Sequence, residues 1–260
     1  MKTMYRRIVM MVAVVALLMT SVAVRASEMD DRIELSAKKS YVFKSFLQSD
    51  DIKIESRDGA VTLTGVVANN HNKSLAQETV ADLPGVKSID NRLEVKGAPP
   101  TANSDAWLRD KVNVTLLFHH SVNAGRTEVD VKDGIVTLRG DAASQAQKEL
   151  TTEYAKDVEG VKYVNNLMIV SQTSTKTKTT IGEDIDDASI TAQVKMTLLY
   201  HRSTSALNTS VTTEKGVVTL SGKASNAAAK DLATKYANDV NGVKSVNNLM
   251  TIEQSEFKAK

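Results

Sequence analysis

The chain contains a seven-residue stretch that occurs three times. It reads GAVTLTG at residues 59–65, GIVTLRG at 134–140 and GVVTLSG at 216–222. A Gly-Val-Lys landmark begins 20 residues after the last glycine of each copy, and an asparagine follows it six residues further on. The landmarks begin at Gly85, Gly160 and Gly242, and the asparagines are Asn91, Asn166 and Asn248. Because this register persists through all copies, the 260 residues form a three-fold tandem repeat of small units.

The pattern within each unit predicts a helix, two strands, a second helix and a third strand. Apolar residues at helical spacing place the first helices at residues 31–47, 105–118 and 187–200, with Asp105 and Asp187 as N-caps. The repeated stretch is the returning strand of a β-hairpin, since an Asp or Lys before its first glycine marks a tight turn. We therefore expect an α+β fold of three tandem αββαβ units, each with two helices on one face of a three-stranded sheet.

The glycines that bracket the stretch have predicted structural roles. The opening glycines are expected in the hairpin turns, where a positive φ costs little without a Cβ. The closing glycines are expected at the strand exits, where the chain bends towards the next element. The opening glycines are Gly59, Gly134 and Gly216, and the closing glycines are Gly65, Gly140 and Gly222. The stretch therefore indicates a fold and not a phosphate-binding loop.

The first 26 residues differ from the rest. A basic start is followed by an apolar run from Ile8 to Leu18, and a cut is predicted between Ala26 and Ser27. This pattern is typical of a signal peptide, and the run is shorter than the ~20 residues of the alternative, a membrane anchor. We expect an exported, soluble periplasmic protein, and the absence of cysteine excludes a lipid anchor. Removal of the signal leaves 29 basic and 31 acidic residues, so the net charge changes from +2 to −2, which argues against nucleic-acid binding.

The repeat register also predicts the boundaries of the units. We expect a signal peptide (1–26), unit one (27–97), a linker (98–104), unit two (105–170), a second linker (171–182), unit three (183–254) and a tail (255–260). Prolines stiffen the first linker, whereas the second is a flexible Ser, Thr and Lys run. Units two and three are therefore expected to be the more mobile pair. Unit one is expected to lack five residues between its first helix and first strand.

The repeat resembles the BON domain, named for bacterial osmotically inducible and nodulation proteins. The resemblance rests on the opening amphipathic helix, the GxVTLxG strand and the landmark with its asparagine, as in GVKSVNNLMTI, and it covers nearly all of residues 31–253. It implies a periplasmic, non-enzymatic protein of the envelope or osmotic stress response. Phospholipid binding and chaperone-like roles are proposed for members of the family.

No catalytic motif stands in the sequence, so we expect no enzyme, no cofactor and no metal. His119 and His201 follow the first helices of units two and three at equivalent positions. We expect them at helix ends, where a donor meets free carbonyls, with metal binding and catalysis as the alternatives. The loops that contain them are the place where the units are most expected to differ in function.

Other candidate residues are interpreted as structural. Two stripes at helical spacing predict core positions more than a ligand site, and two acid pairs predict loop and cap positions. The stripes are Leu150 with Tyr154 and Leu232 with Tyr236, and the acid pairs are Asp50-Asp51 and Asp186-Asp187.

Lysines around the second helix of unit three are the candidate lipid contacts. Each lysine near an anionic surface contributes about 1 kcal/mol. The four candidates are Lys223, Lys230, Lys235 and Lys244. The expected partners are an anionic phospholipid surface and exported or outer-membrane proteins, without nucleic acid or a small-molecule substrate. The alternative function is a periplasmic chaperone that holds exported client proteins through strand edges or apolar faces.

Overall fold

A computed structural model describes residues 28–97, 101–171, 185–204 and 209–253. The predicted cleavage site at Ala26 and Ser27 and most of the second linker lie outside these residues. Within them, no helix combines the length and the apolar character needed to cross a membrane.

Each unit has the predicted order of elements, which confirms the α+β fold. Unit one consists of α1 (28–39), α2 (Tyr41–Ser45), β1 (Asp51–Arg57), β2 (Ala60–Val67), α3 (Asn70–Ala81), β3 (Ser88–Asn91) and β4 (Glu94–Val95). Unit two consists of α4 (Asp105–Phe118), a short 3-10 helix (Ala124–Arg126), β5 (Thr127–Lys132), β6 (Ile135–Ala142), α5 (Gln145–Asp157), β7 (Tyr163–Asn166) and β8 (Ile169–Val170). Unit three consists of α6 (Asp187–Tyr200), β9 (Thr209–Glu214), β10 (Val217–Ala224), α7 (Ala227–Asn238), β11 (Ser245–Asn248) and β12 (Thr251–Ile252).

The sheet of each unit is built around the repeated stretch. The central strand pairs antiparallel with its hairpin partner and parallel with the third strand, which is split into two short segments. The repeated asparagine explains the split: Asn248 Nδ2 donates to Lys230 O (2.9 Å), and Asn248 Oδ1 accepts from Met250 N (3.0 Å). Units one and two make the same bonds. The asparagine therefore ties the third strand to the second helix.

The opening and closing glycines are required for different structural reasons. Gly59 has φ +82° and follows Asp58 at φ +54°, the backbone of a type I′ hairpin turn. Gly140 lies inside β6 and not at its exit, and a Cβ there would stand 1.9 Å from the Arg126 carbonyl oxygen. Gly65 is equally enclosed by the backbone of Asp51, and Gly222 also lies inside its strand. The prediction of strand exits is wrong, because all three glycines lie inside their strands. At Gly65 and Gly140 the absence of a Cβ lets the neighbouring backbone approach the central strand.

The starts of the first helices also correct the prediction. Ser104 and Asp186 are the N-caps, one residue before the predicted positions. The Asp105 carboxylate instead accepts the amide of Gly134 (2.9 Å) and holds the hairpin turn. Asp30 and Asp187 bind their turns in the same way, 29 residues before the turn glycine in every unit. Unit one is therefore not shorter, and its first helix is interrupted at Ser40.

The described parts of the three units pack into one structure with two hydrophobic cores. One core is common to units two and three, and it includes Leu138 and Leu220 from their central strands. The other belongs to unit one but includes Met196 and Tyr200 of α6. The prediction that units two and three are the more mobile pair is wrong, because they bury apolar surface against each other. The flexibility of the second linker itself stays a prediction.

Candidate functional site

Two helix ends from unit two meet two from unit three at an approximate two-fold axis. His119 follows α4 and His201 follows α6, while Asp157 ends α5 and Asp239 follows α7. The backbones exchange hydrogen bonds across this interface. His120 N donates to Asp239 O (2.9 Å), and Arg202 N donates to Asp157 O (2.8 Å). Units two and three are thus related like the subunits of an isologous dimer within one chain.

The Asp239 carboxylate of unit three accepts hydrogen bonds from side chains of unit two. Its Oδ2 accepts the hydroxyl of Tyr154 (2.6 Å), and its Oδ1 accepts the hydroxyl of Ser121. His119 Nδ1 lies 3.2 Å from Oδ2, but its N–H is not aimed well enough for a regular hydrogen bond. The His119 ring stacks on Tyr154, with 3.9 Å between the ring centroids. The carboxylate is therefore surrounded by polar hydrogens in the interior.

The reciprocal half of the interface has the same composition. Asp157 Oδ2 accepts the hydroxyl of Tyr236 (2.8 Å) and lies 3.2 Å from His201 Nδ1. Ser203 donates to Asp157 Oδ1, and His201 stacks on Tyr236 at 3.9 Å. The two halves meet where His119 Nε2 and His201 Nε2 are 3.3 Å apart. We name these eight residues the histidine cluster: Ser121, Ser203, His119, His201, Tyr154, Tyr236, Asp157 and Asp239.

The electrostatics of the cluster favour ionised carboxylates and protonated tyrosines. Burial opposes the charge of Asp239, but the contact with His119 Nδ1 and the hydrogen bonds from Ser121 and Tyr154 outweigh it and lower its pKa. The pKa of Asp157 is lowered by the equivalent balance. Burial and the neighbouring carboxylates raise the pKa of both tyrosines, which remain donors at neutral pH. Burial lowers the pKa of His119, against the pull of Asp239.

The two histidines of the cluster offer no surface to a substrate. The side chains of His119 and His201 are 0% exposed. In the described part of the chain, no group of three His, Cys, Asp or Glu residues is arranged to hold a metal ion. The predicted helix-end position is confirmed, but the rings face carboxylates of the other unit and not free carbonyls. The geometry therefore supports a structural role for both histidines and not a catalytic one.

The other candidate residues take the predicted structural places only in part. Tyr154 and Tyr236 belong to the core that units two and three share, which confirms their interpretation, and Leu232 packs against this core. The prediction of a core position is wrong for Leu150, which is 38% exposed, and Asp51 lies in β1 and not in a loop. Asp186 caps α6 by accepting Ser189 N (2.9 Å), and Asp50 accepts Ala68 N (2.8 Å) in a loop.

The sequence interpretation missed the partnership of these histidines with Asp157 and Asp239. A signal for it was present, because His, Tyr and Asp recur in the same register in units two and three. Unit one has Lys44, Thr79 and Asp82 at the equivalent positions.

The four candidate lysines do not form one free cationic patch. Lys230 Nζ donates to the Met250 carbonyl at 2.6 Å, a bond that the equivalent lysines make in the other units. The aliphatic chain of Lys244 packs over Gly216, where a Cβ would lie 3.0–3.2 Å from it. Lys223, Lys235 and Lys244 are exposed. Lys230 is thus bound within the fold, whereas Lys244 lies along the turn glycine and remains exposed.

The third strand of unit two carries exposed apolar side chains. Tyr163 is 64% exposed, Leu167 51% and Ile169 68%. In the described residues this strand pairs on one side only, with β6, so it forms an edge of the sheet. The equivalent positions of unit one are Ser88, Arg92 and Glu94, all exposed and polar. We call β7, β8 and the turn between them the apolar edge.

A family model described as BON domain matches residues 29–97, 104–172 and 186–254, and the chain belongs to the BON domain family.

Two named relatives resemble the chain over much of its length. Osmotically-inducible protein Y of Escherichia coli (strain K12) is 29% identical over 197 residues, which are 76% of this chain and 95% of the relative. The 21 kDa hemolysin of Actinobacillus pleuropneumoniae is 33% identical over 158 residues, 61% of this chain and 72% of the relative. Among solved structures, CdsD, a structural protein of the type III secretion system of Chlamydia trachomatis, aligns over 88% of this chain and 94% of its own with 16% identity and a TM-score of 0.24.

Proposed function

We propose that the protein is a non-enzymatic periplasmic protein of the envelope or osmotic stress response that contacts exported proteins through its apolar edge. The family and the similarity to Osmotically-inducible protein Y support the stress role. The signal-like N-terminus supports export. The observation that carries the contact is the exposure of Tyr163, Leu167 and Ile169 along an edge strand that pairs on one side only, with β6.

The outer side of an edge strand suits the binding of an extended polypeptide. Its free N–H and C=O groups can pair with an incoming strand, while apolar side chains contact the alternate residues of that strand. Natural proteins commonly block such edges with charge. Unit one is blocked in this way, since Arg92 pairs with Asp90 at 2.6 Å. The apolar edge of unit two is open, which fits the holding of incompletely folded exported clients.

Units one and three provide matched variants for a test. The variant Tyr163→Ser, Leu167→Arg, Ile169→Glu gives unit two the residues of unit one without altering buried positions. We expect the unaltered protein to suppress aggregation of an unfolded outer-membrane protein diluted from urea, and this variant to lose most of that effect. The control variant Leu249→Arg, Thr251→Glu makes the equivalent change in unit three and is expected to retain it. Equal suppression by all three proteins contradicts the proposal.

Contact with phospholipid is a second candidate function. The exposed Lys223 and Lys235 and the similarity to a hemolysin favour it. Co-sedimentation with anionic vesicles but not with neutral ones, reduced in Lys223→Glu, Lys235→Glu, is the expected result. No binding to either kind of vesicle at low salt excludes the lipid function.

A further inference from the structure

We propose that the interface between units two and three binds one proton, shared between His119 Nε2 and His201 Nε2, and that either losing it or adding a second proton weakens the interface. The proposal rests on the direction of the rings, on a count of the protons that their contacts require, and on the charges of the cluster.

The rings of His119 and His201 point at each other. The centroid of an imidazole ring lies about 1.1 Å from Nε2, so collinear rings with an Nε2–Nε2 distance of 3.3 Å have centroids about 5.5 Å apart. The observed distance between the centroids is 5.5 Å. This near-collinear arrangement is that of an N–H···N hydrogen bond. Two ligands of a tetrahedral metal ion would instead be bent towards a common point beside the line that joins them.

The contacts of the pair require three protons. One proton must lie between the Nε2 atoms, because two bare lone pairs at 3.3 Å would repel each other. Each Nδ1 lies 3.2 Å from a carboxylate oxygen, and a bare lone pair there would repel the carboxylate. Two neutral imidazoles carry only two protons. The arrangement is therefore complete when one additional proton is bound.

The charges around the two histidines sum to zero when the pair binds one additional proton. Asp157 and Asp239 contribute two negative charges, and Arg202, with Nε 3.7 Å from Asp157 Oδ1, contributes one permanent positive charge. The shared proton supplies the fourth charge and brings the sum to zero. His120 takes the place of Arg202 beside Asp239, with Nδ1 3.2 Å from Asp239 Oδ1.

A second added proton would meet opposition from its surroundings. It would raise the sum of the charges named above to +1, and Tyr154 and Tyr236 would not release a proton to compensate because their pKa values are raised. It would also place hydrogens on both Nε2 atoms across 3.3 Å. Coupled groups of this kind titrate in two separated steps that belong to the pair.

The experiment is a pH titration of the whole protein with ¹⁵N-labelled histidine rings, followed by NMR. At about pH 8, where a free histidine is neutral, three of the four ring nitrogens of the pair are expected to carry protons. The amide exchange of His120 and Arg202, corrected for intrinsic rates, is expected to be slowest between the two titration steps. Only two protonated ring nitrogens at this pH, or two independent titrations at ordinary values, overturn the proposal.

A variant gives an independent test. His201→Gln offers His119 an amide that donates or accepts without titrating, so the additional proton is no longer required. We expect His119 to carry one proton at about pH 8 in this variant, where a neutral imidazole is the ordinary form. If both ring nitrogens of His119 still carry protons at this pH in the variant, the additional proton is not shared between the two rings. If the variant does not fold, the titration of the unaltered protein still decides the question.

Discussion

Replacement of Asp239 by asparagine is the sharpest perturbation of the interface between units two and three. The carboxylate accepts the hydroxyls of Tyr154 and Ser121 and lies 3.2 Å from His119 Nδ1. Asparagine has the same size, but one oxygen becomes an NH₂ group that faces a donor. A hydrogen bond to a charged group contributes about 1.5–3 kcal/mol, and the lost burial cost of the charge offsets part of this. We expect a loss of about 3 kcal/mol in the free energy of unfolding.

The assay is urea unfolding at pH 7, followed by circular dichroism, together with thermal unfolding. For a chain of this size a loss of about 3 kcal/mol lowers Tm by roughly 6–12 °C. Asp157→Asn is expected to cost a similar amount, because its donors are equivalent. The control is Asp130→Asn, whose side chain is 60% exposed and pairs with Arg139 on the surface, and it is expected to change stability by no more than about 0.5 kcal/mol. A change of that small size in Asp239→Asn would refute the structural role of the cluster.

Three further predictions concern the strand glycines, the docking of unit one and pH. Gly140→Ala places a Cβ 1.9 Å from a backbone oxygen and is expected to cost more than about 3 kcal/mol, whereas Gly97→Ala, with open space, costs about 1 kcal/mol; urea unfolding compares them. Lys195→Met leaves Asp82 and Glu78 without their cation and is expected to speed amide exchange in α3 but not in α5; unchanged exchange in α3 contradicts this. Stability is expected to fall as pH drops below about 6.5, because burial lowers the pKa of His119 and His71 and the unfolded chain then binds more protons; flat stability between pH 7 and 5.5 contradicts this step. Stability is expected to fall again below about pH 4, because the pKa values of Asp157 and Asp239 are lowered in the fold and the aspartates of the unfolded chain take up protons first.

The fold was predictable because its signals are local. The turn residues, the helical spacing and the register of the landmarks each act within one unit, and three copies repeat the same information. The error at Gly140 arose because the sequence shows a glycine near the end of an apolar strand but not the neighbouring backbone that approaches it. The error at Asp105 has the same cause, since a carboxylate at a helix start can bind either its own helix or a distant turn.

The packing between units was not predictable from their separate patterns. A serine, threonine and lysine linker indicates flexibility of the linker, but the mobility of the units depends on the surface that they bury against each other. The histidines of the cluster were found by their equivalent positions. Their partners Asp157 and Asp239 lie at the ends of helices in the opposite unit, and no spacing within one unit indicates that contact.

The central claim is that units two and three are closed against each other by reciprocal contacts around the histidine cluster. Amide hydrogen exchange at neutral pH tests it at the four backbone donors that cross the interface. These are the amides of His120, Glu159, Arg202 and Asn241. We expect all four to be protected to a degree comparable with the central strands β6 and β10. Exchange at the rate of exposed loop amides would contradict the account and leave the units as separate domains on a common chain.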